Sequence, residues 1–121
     1  MKFEISQQFF FDAAHTLHRE MDAEGSARIH GHTYNAEVAV AGPVTPETGM
    51  VVDLGHLRSL LEKIRDRLDH RMLDDVAELG HPTLENLCLF VAREVAISGL
   101  NLTRVSIWRN GIGDRCDLRF E

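Results

Sequence analysis

The amino-acid sequence predicts an α+β fold of order ββααββ, a four-stranded antiparallel sheet with two helices on one face. Three observations predict it. The N-terminal third alternates apolar and polar side chains with period two, the middle repeats apolar residues at three- and four-residue steps, and the C-terminal end returns to period two. No strand–helix–strand alternation demands a parallel sheet, so an antiparallel sheet with segregated helices is the economical architecture. A length of 121 residues suits one domain, residues 1–121, and is short for two independent cores.

In FEISQQFFFDAAH, Phe3, Ile5, Phe9, Phe11 and Ala13 share one strand face, and His15 continues it by parity. The polar loop TLHREMDAEGSA follows. A second strand runs from about Ile29 to Ala41 and ends at Gly42-Pro43, which break the ladder. Its alternation puts His30, His32, Tyr34, Ala36, Val38 and Val40 on one face. From Asp53, an N-cap residue, Leu54, Leu57, Leu60, Leu61, Ile64 and Leu68 form a helical stripe opposite Arg58, Glu62 and Lys63. A second helix opens at Thr83 just after Pro82, buries Leu84, Leu87, Cys88, Val91 and Val95, and stops at Gly99. LTRVSIWRN and DRCDLRFE then read as strands joined by a turn at Gly111 to Gly113.

Hydrophobic residues make up 44% and charged residues 26%, an ordinary globular composition. A formal net charge of −6 disfavours a nucleic-acid partner, which needs clustered Lys and Arg. No apolar run reaches the roughly 20 residues of a membrane span, and the N-terminus lacks a cleavage-site pattern, so a cytoplasmic protein with no membrane partner is expected. Cys88 and Cys116 lie among apolar neighbours and read as core fillers. The sheet keeps one face and two edges uncovered, which predicts self-association.

His15 ends the first strand and His30 and His32 begin the second, so an antiparallel hairpin gathers three imidazoles at one end and on one face. Three neutral imidazoles suit Zn²⁺, and a three-ligand set leaves the fourth tetrahedral position open, as catalytic zinc sites do. The alternative for each histidine alone is a satisfied core residue.

FDAAH, HGH, VVDLGHLRSLL, LDHRML and HPTLEN, in this order and spacing, resemble the 6-pyruvoyl-tetrahydropterin synthase and 6-carboxy-tetrahydropterin synthase family, with its tunnelling fold. The resemblance covers nearly the whole chain. It implies that His15, His30 and His32 bind zinc, and that zinc holds the side-chain hydroxyls of a dihydroneopterin triphosphate-like substrate. It also implies a homohexamer, a dimer of trimers, with active sites between subunits. Asp69-His70 closes the first helix, where a partly positive imidazole is favoured by the helix dipole. In the family the matching pair serves proton transfer, for which an unperturbed pKa of about 6.5 is suited.

Two positions depart from the family. Four residues before His30, where the synthases carry a catalytic cysteine, stands Ser26. A thiol is a few per cent thiolate at about pH 7, whereas a serine hydroxyl needs an adjacent base. His70 oriented by Asp69 is one candidate base for Ser26. Asp22 or Glu24 taking the proton instead resembles the branch in which a glutamate replaces the cysteine and the side chain is cleaved to a hydroxymethyl group. The third option is that Ser26 is a loop residue. At the second position, where the synthases use a glutamate to accept the pterin's ring donors, stands Arg109. Arginine only donates and stays charged, and its parity is that of Val105 and Ile107, so it suits a carboxylate, phosphate or carbonyl edge. Glu85 in HPTLEN is a candidate substitute acceptor.

These readings converge on a zinc-dependent lyase performing elimination or retro-aldol cleavage on a polyol-type side chain. Its small-molecule substrate, pterin-like or an acidic polyol, has drifted from dihydroneopterin triphosphate. The alternatives are an active 6-carboxy-tetrahydropterin synthase with a substitute base, and a non-catalytic zinc-containing binding protein.

Overall fold

A computed structural model describes residues 2–120. The long hairpin forms as expected from β1 (Phe3–His15) and β2 (His30–Gly42), paired antiparallel along their whole length. β2 then pairs with β4 (Leu102–Arg109), and β4 with β5 (Asp114–Arg119), both antiparallel. The helices expected at Asp53 and Thr83 are α2 (Leu54–Asp66) and α3 (Leu84–Ile97). Both are capped as their sequences suggest: the Asp53 carboxylate accepts from the Gly55 N–H at 2.8 Å, and the Thr83 hydroxyl from the Asn86 N–H at 3.2 Å.

The sheet has five strands rather than four, in the order β3-β1-β2-β4-β5. The extra one, β3 (Arg71–Met72), is two residues long and runs parallel to β1 at Ala13 and Ala14. Two residues are too few to show a period, which is why alternation missed it. A short helix, α1 (Ala23–Ala27), also interrupts the β1–β2 loop.

Phe11, Tyr34, Ala36, Val38, Val105 and Ile107 bury one face of the sheet against Leu57, Leu61 and Ile64 of α2 and Leu87, Phe90 and Val91 of α3. Phe11 and Tyr34, opposite each other across the hairpin, stack at 5.0 Å between ring centroids. Such an aromatic pair adds about 0.5–1.5 kcal/mol beyond its buried area and pins the register. That register is what places His15 opposite His30. The other face is polar: Arg104 pairs with Glu37 at 2.5 Å, and Asp117 accepts from Ser106 and Arg115.

After α2 the chain must turn back to reach β1. His70 makes that reversal in the left-handed region, with φ of 57°, and its N–H donates to the Asp12 carbonyl at 2.6 Å. A non-glycine residue there costs of order 1 kcal/mol. No helix among the described residues is long and apolar enough to cross a membrane.

Candidate metal centre and pocket

Strand pairing brings the three imidazoles together, with ring centroids 4.4 Å apart for His15 and His30, 4.9 Å for His15 and His32, and 5.1 Å for His30 and His32. Their partners settle which nitrogens are free. His15, 2% exposed, donates from Nδ1 to the Pro82 carbonyl at 3.0 Å, and His30 donates from Nδ1 to the Arg28 carbonyl at 2.8 Å. A carbonyl only accepts, so both rings carry the Nδ1 proton and keep Nε2 available. His32 Nε2 lies 3.0 Å from Nη1 of Arg109, and since arginine only donates, that nitrogen accepts.

Burial holds the His15 pKa below the ordinary histidine range, against the Pro82 carbonyl, which favours the charged form. Burial and then the Arg109 charge push His32 down to about 4. Both are therefore neutral near pH 7, and Nε2 of His15, which carries no proton, lies 3.1 Å from Nε2 of His32, whose lone pair is taken by Arg109. Neither nitrogen has a proton to offer the other, and a cation between them would bind both. Nitrogens about 2.0–2.1 Å from one tetrahedral ion are about 3.3–3.4 Å apart, close to the spacing found. The ligand atoms of His15, His30 and His32 all fall within 4.8 Å of one another. The donor set fits zinc.

Two cavities flank the cluster. One of about 430 Å³ is lined by His15, Tyr34, Leu84, Glu85 and Arg109. The other, of about 340 Å³, is lined by Ser26, His30, His32, Arg109 and Asp114. Arg109 borders both. Its side chain is 14% exposed, its Nη2 donates to Asp114, and its Nε is buried with no hydrogen-bond partner among the described residues. Glu85 thus shares a cavity with His15 and Arg109, although α3 carries it. Burial pushes the Tyr34 phenol up to about 12, against the pull of Arg109, so it remains a neutral donor at the cavity wall.

Of the other expected site residues, Asp69, His70 and Glu24 line neither cavity, and Ser26 lines the second. His70, its side chain 78% exposed, donates from Nδ1 to Asp69 at 2.8 Å. Asp69 also accepts from the Asp12 N–H at 3.0 Å and lies 3.3 Å from Arg65. The Asp12 N–H first, and then His70, hold its carboxyl below the usual carboxylate range. His70 borders a shallow depression with Asp12, Thr33 and Met72, on which His32 also opens, and neither residue of the pair lines either cavity described above. Ser26 is 3% exposed and its hydroxyl is engaged with its own loop, donating to the Ala23 carbonyl at 3.1 Å and accepting from the Arg19 N–H at 3.2 Å. Glu24 is carried into solvent, 92% exposed, 3.7 Å from Arg28.

Tyr34, Asp114 and the Pro82 carbonyl were absent from the residues expected at the site. Strand parity with His32 is a signal for Tyr34, whereas a backbone carbonyl leaves no trace in residue identity. Cys88 is buried as expected, and burial pushes its thiol up to about 12, which keeps it unreactive.

A model of the family described as 6-pyruvoyl tetrahydropterin synthase matches residues 4–119. Dihydroneopterin monophosphate aldolase of Pyrococcus furiosus is 32% identical over 111 residues, covering 89% of this chain and 90% of that protein. The 6-carboxy-5,6,7,8-tetrahydropterin synthase of Synechocystis sp. is 34% identical over 110 residues, covering 84% and 83%. The structure of Caenorhabditis elegans 6-pyruvoyl tetrahydropterin synthase superposes with a TM-score of 0.82 at 27% identity, covering 100% of this chain and 97% of that one.

Proposed function

The chain belongs to the 6-pyruvoyl tetrahydropterin synthase family, and on that premise we propose that it is a zinc-dependent lyase that cleaves or eliminates on the polyol side chain of a pterin-like or acidic small molecule. The observation that carries the reading is the convergence of three imidazoles, two of them with Nδ1 committed to carbonyls, beside a cavity that holds both Arg109 and Glu85. His15, His30 and His32 would hold the zinc. Bound there, the metal supplies Lewis-acid polarisation of vicinal oxygens, which acidifies a neighbouring C–H or O–H.

The remaining work falls to side chains of this protein. Arg109 takes an anionic or carbonyl edge of the substrate, and Glu85 accepts from N–H donors on the other side of the cavity. His70 moves the proton, with Asp69 fixing its tautomer through Nδ1. Because that pair lines neither cavity of its own chain, the reading includes a homohexamer in the cytoplasm, where a neighbouring copy brings His70 to the cluster. Ser26 and Glu24 remain the candidates for the position of the family's cysteine, and the backbone bonds of the Ser26 hydroxyl favour a role in holding the loop.

A second reading, an active 6-carboxy-tetrahydropterin synthase with a substitute base, draws on one observation. Glu85 offers an acceptor in the cavity where Arg109 replaces one. Mass spectrometry of the zinc-loaded protein incubated with dihydroneopterin triphosphate, and separately with the monophosphate, tests both. Cleavage to a hydroxymethyl product of either supports the lyase reading. Conversion of the triphosphate to the synthase product supports the second, and inertness toward both removes pterin phosphates as substrates.

A further inference from the structure

We propose that Arg109 is an oxyanion receptor latched by His32, released when that imidazole takes a metal, so that metal binding and the binding of a phosphate or carboxylate group strengthen each other. This rests on the reading that the three histidines hold zinc.

His32 Nε2 has a single lone pair and here it accepts from Nη1 of Arg109 at 3.0 Å. It cannot serve an arginine and a metal at once. When the metal takes it, Nη1 loses its acceptor, and Nε has none among the described residues. Nη2 stays on Asp114, so the guanidinium remains tethered at the boundary of the two cavities. On a side chain only 14% exposed, Nε is then unpartnered, and the Nη1 proton that His32 had accepted is left beside the neutral Tyr34 phenol. An unpaired buried donor is costly, and a positive guanidinium beside a dication is costlier still. An oxyanion relieves both, since its oxygens accept from the freed donors and its charge offsets the two cations. Asp114 cannot do this alone, because its carboxylate is already engaged at Nη2 and half exposed.

Linkage fixes the form of the test, because whatever factor the metal lends to anion affinity, the anion lends to metal affinity. Inorganic phosphate, and in a separate arm acetate, are titrated by calorimetry into metal-free and zinc-loaded protein, as wild type, Arg109→Gln and Arg109→Lys. Zinc content is measured on the same samples. Zinc loading is expected to tighten phosphate binding about tenfold in the wild type and less than about twofold in either variant. The acetate arm shows whether a carboxylate suffices or a phosphate is needed. Equal tightening in all three proteins means the anion sits on the metal itself and overturns the proposal. Zinc bound with no tightening in the wild type also overturns it, and points to Glu85 as the acceptor that captures the released donors. Absence of zinc from the wild type removes the metal reading and this inference together, a result distinct from either. Should Arg109→Gln not fold, the lysine variant, which keeps the charge without the paired donors, carries the comparison.

Discussion

His15 on β1 donates from Nδ1 to the carbonyl of Pro82, 3.0 Å away, so the residue just before the α3 cap decides which nitrogen of a strand histidine stays free. On the proposed zinc reading, metal affinity is thereby coupled to the start of a helix. Thr83→Ala removes the α3 cap and is expected to cost about 1 kcal/mol of stability. It should also weaken zinc binding, because the Pro82 carbonyl loses its fixed position. Asp53→Ala removes the α2 cap at similar cost without touching the site. Competition titration with a zinc chelator checks the difference, and equal zinc affinity in the two variants would argue against the coupling.

Stability should depend on pH through His32 and His15. Both have folded pKa values lowered, His32 to about 4, so the unfolded chain binds their protons more readily. Their contribution is full above about 6.5, the ordinary histidine value, and is lost as pH falls towards 4. Urea midpoints of the metal-free protein at pH 7 and pH 5 should therefore separate, and His32→Gln should bring them closer together. An unchanged gap in the variant would assign the pH dependence to the carboxylates.

His70→Ala is expected to lower kcat by about 10²–10⁴-fold while zinc content stays at the wild-type level. Ser26→Ala should reduce the rate by less than about tenfold, and should show its effect in loop stability instead, since the hydroxyl closes the turn between Arg19 and Ala23. Parallel measurement of kcat and metal content in the two variants decides between them. A Ser26→Ala rate as low as that of His70→Ala would make Ser26 part of the proton path.

An interfacial active site requires an oligomer. Multi-angle light scattering at micromolar concentration should give a mass near six chains. A monomer would leave His70 on its own face and end its proposed role.

Parity carried much of the site. His15, His30 and His32 fell on one face from alternation alone, and the hairpin needed only its register, supplied by Phe11 opposite Tyr34. Arg109 stood out as a departure from the family, with parity placing it on the side of Val105 and Ile107; the pairing of Asn35 with Trp108 then sets it beside Tyr34, two residues from His32. What sequence did not disclose is where the chain goes between periodic segments. The two residues of β3 have no pattern to detect, yet they place Asp69-His70 at the β1 edge. Ser26 was legible as a departure from the family, but its burial and its two backbone bonds arise from the turn of α1, which no period announces. The Pro82 carbonyl belongs to the backbone and is silent by nature.

The proposed chemistry depends on three imidazoles converging to hold one zinc ion. Metal analysis of the purified protein beside a His30→Ala, His32→Ala double variant tests it most directly. About one zinc per wild-type chain and almost none in the double variant is expected, since a single remaining imidazole is too weak a ligand set. Full zinc retention by the double variant would contradict it.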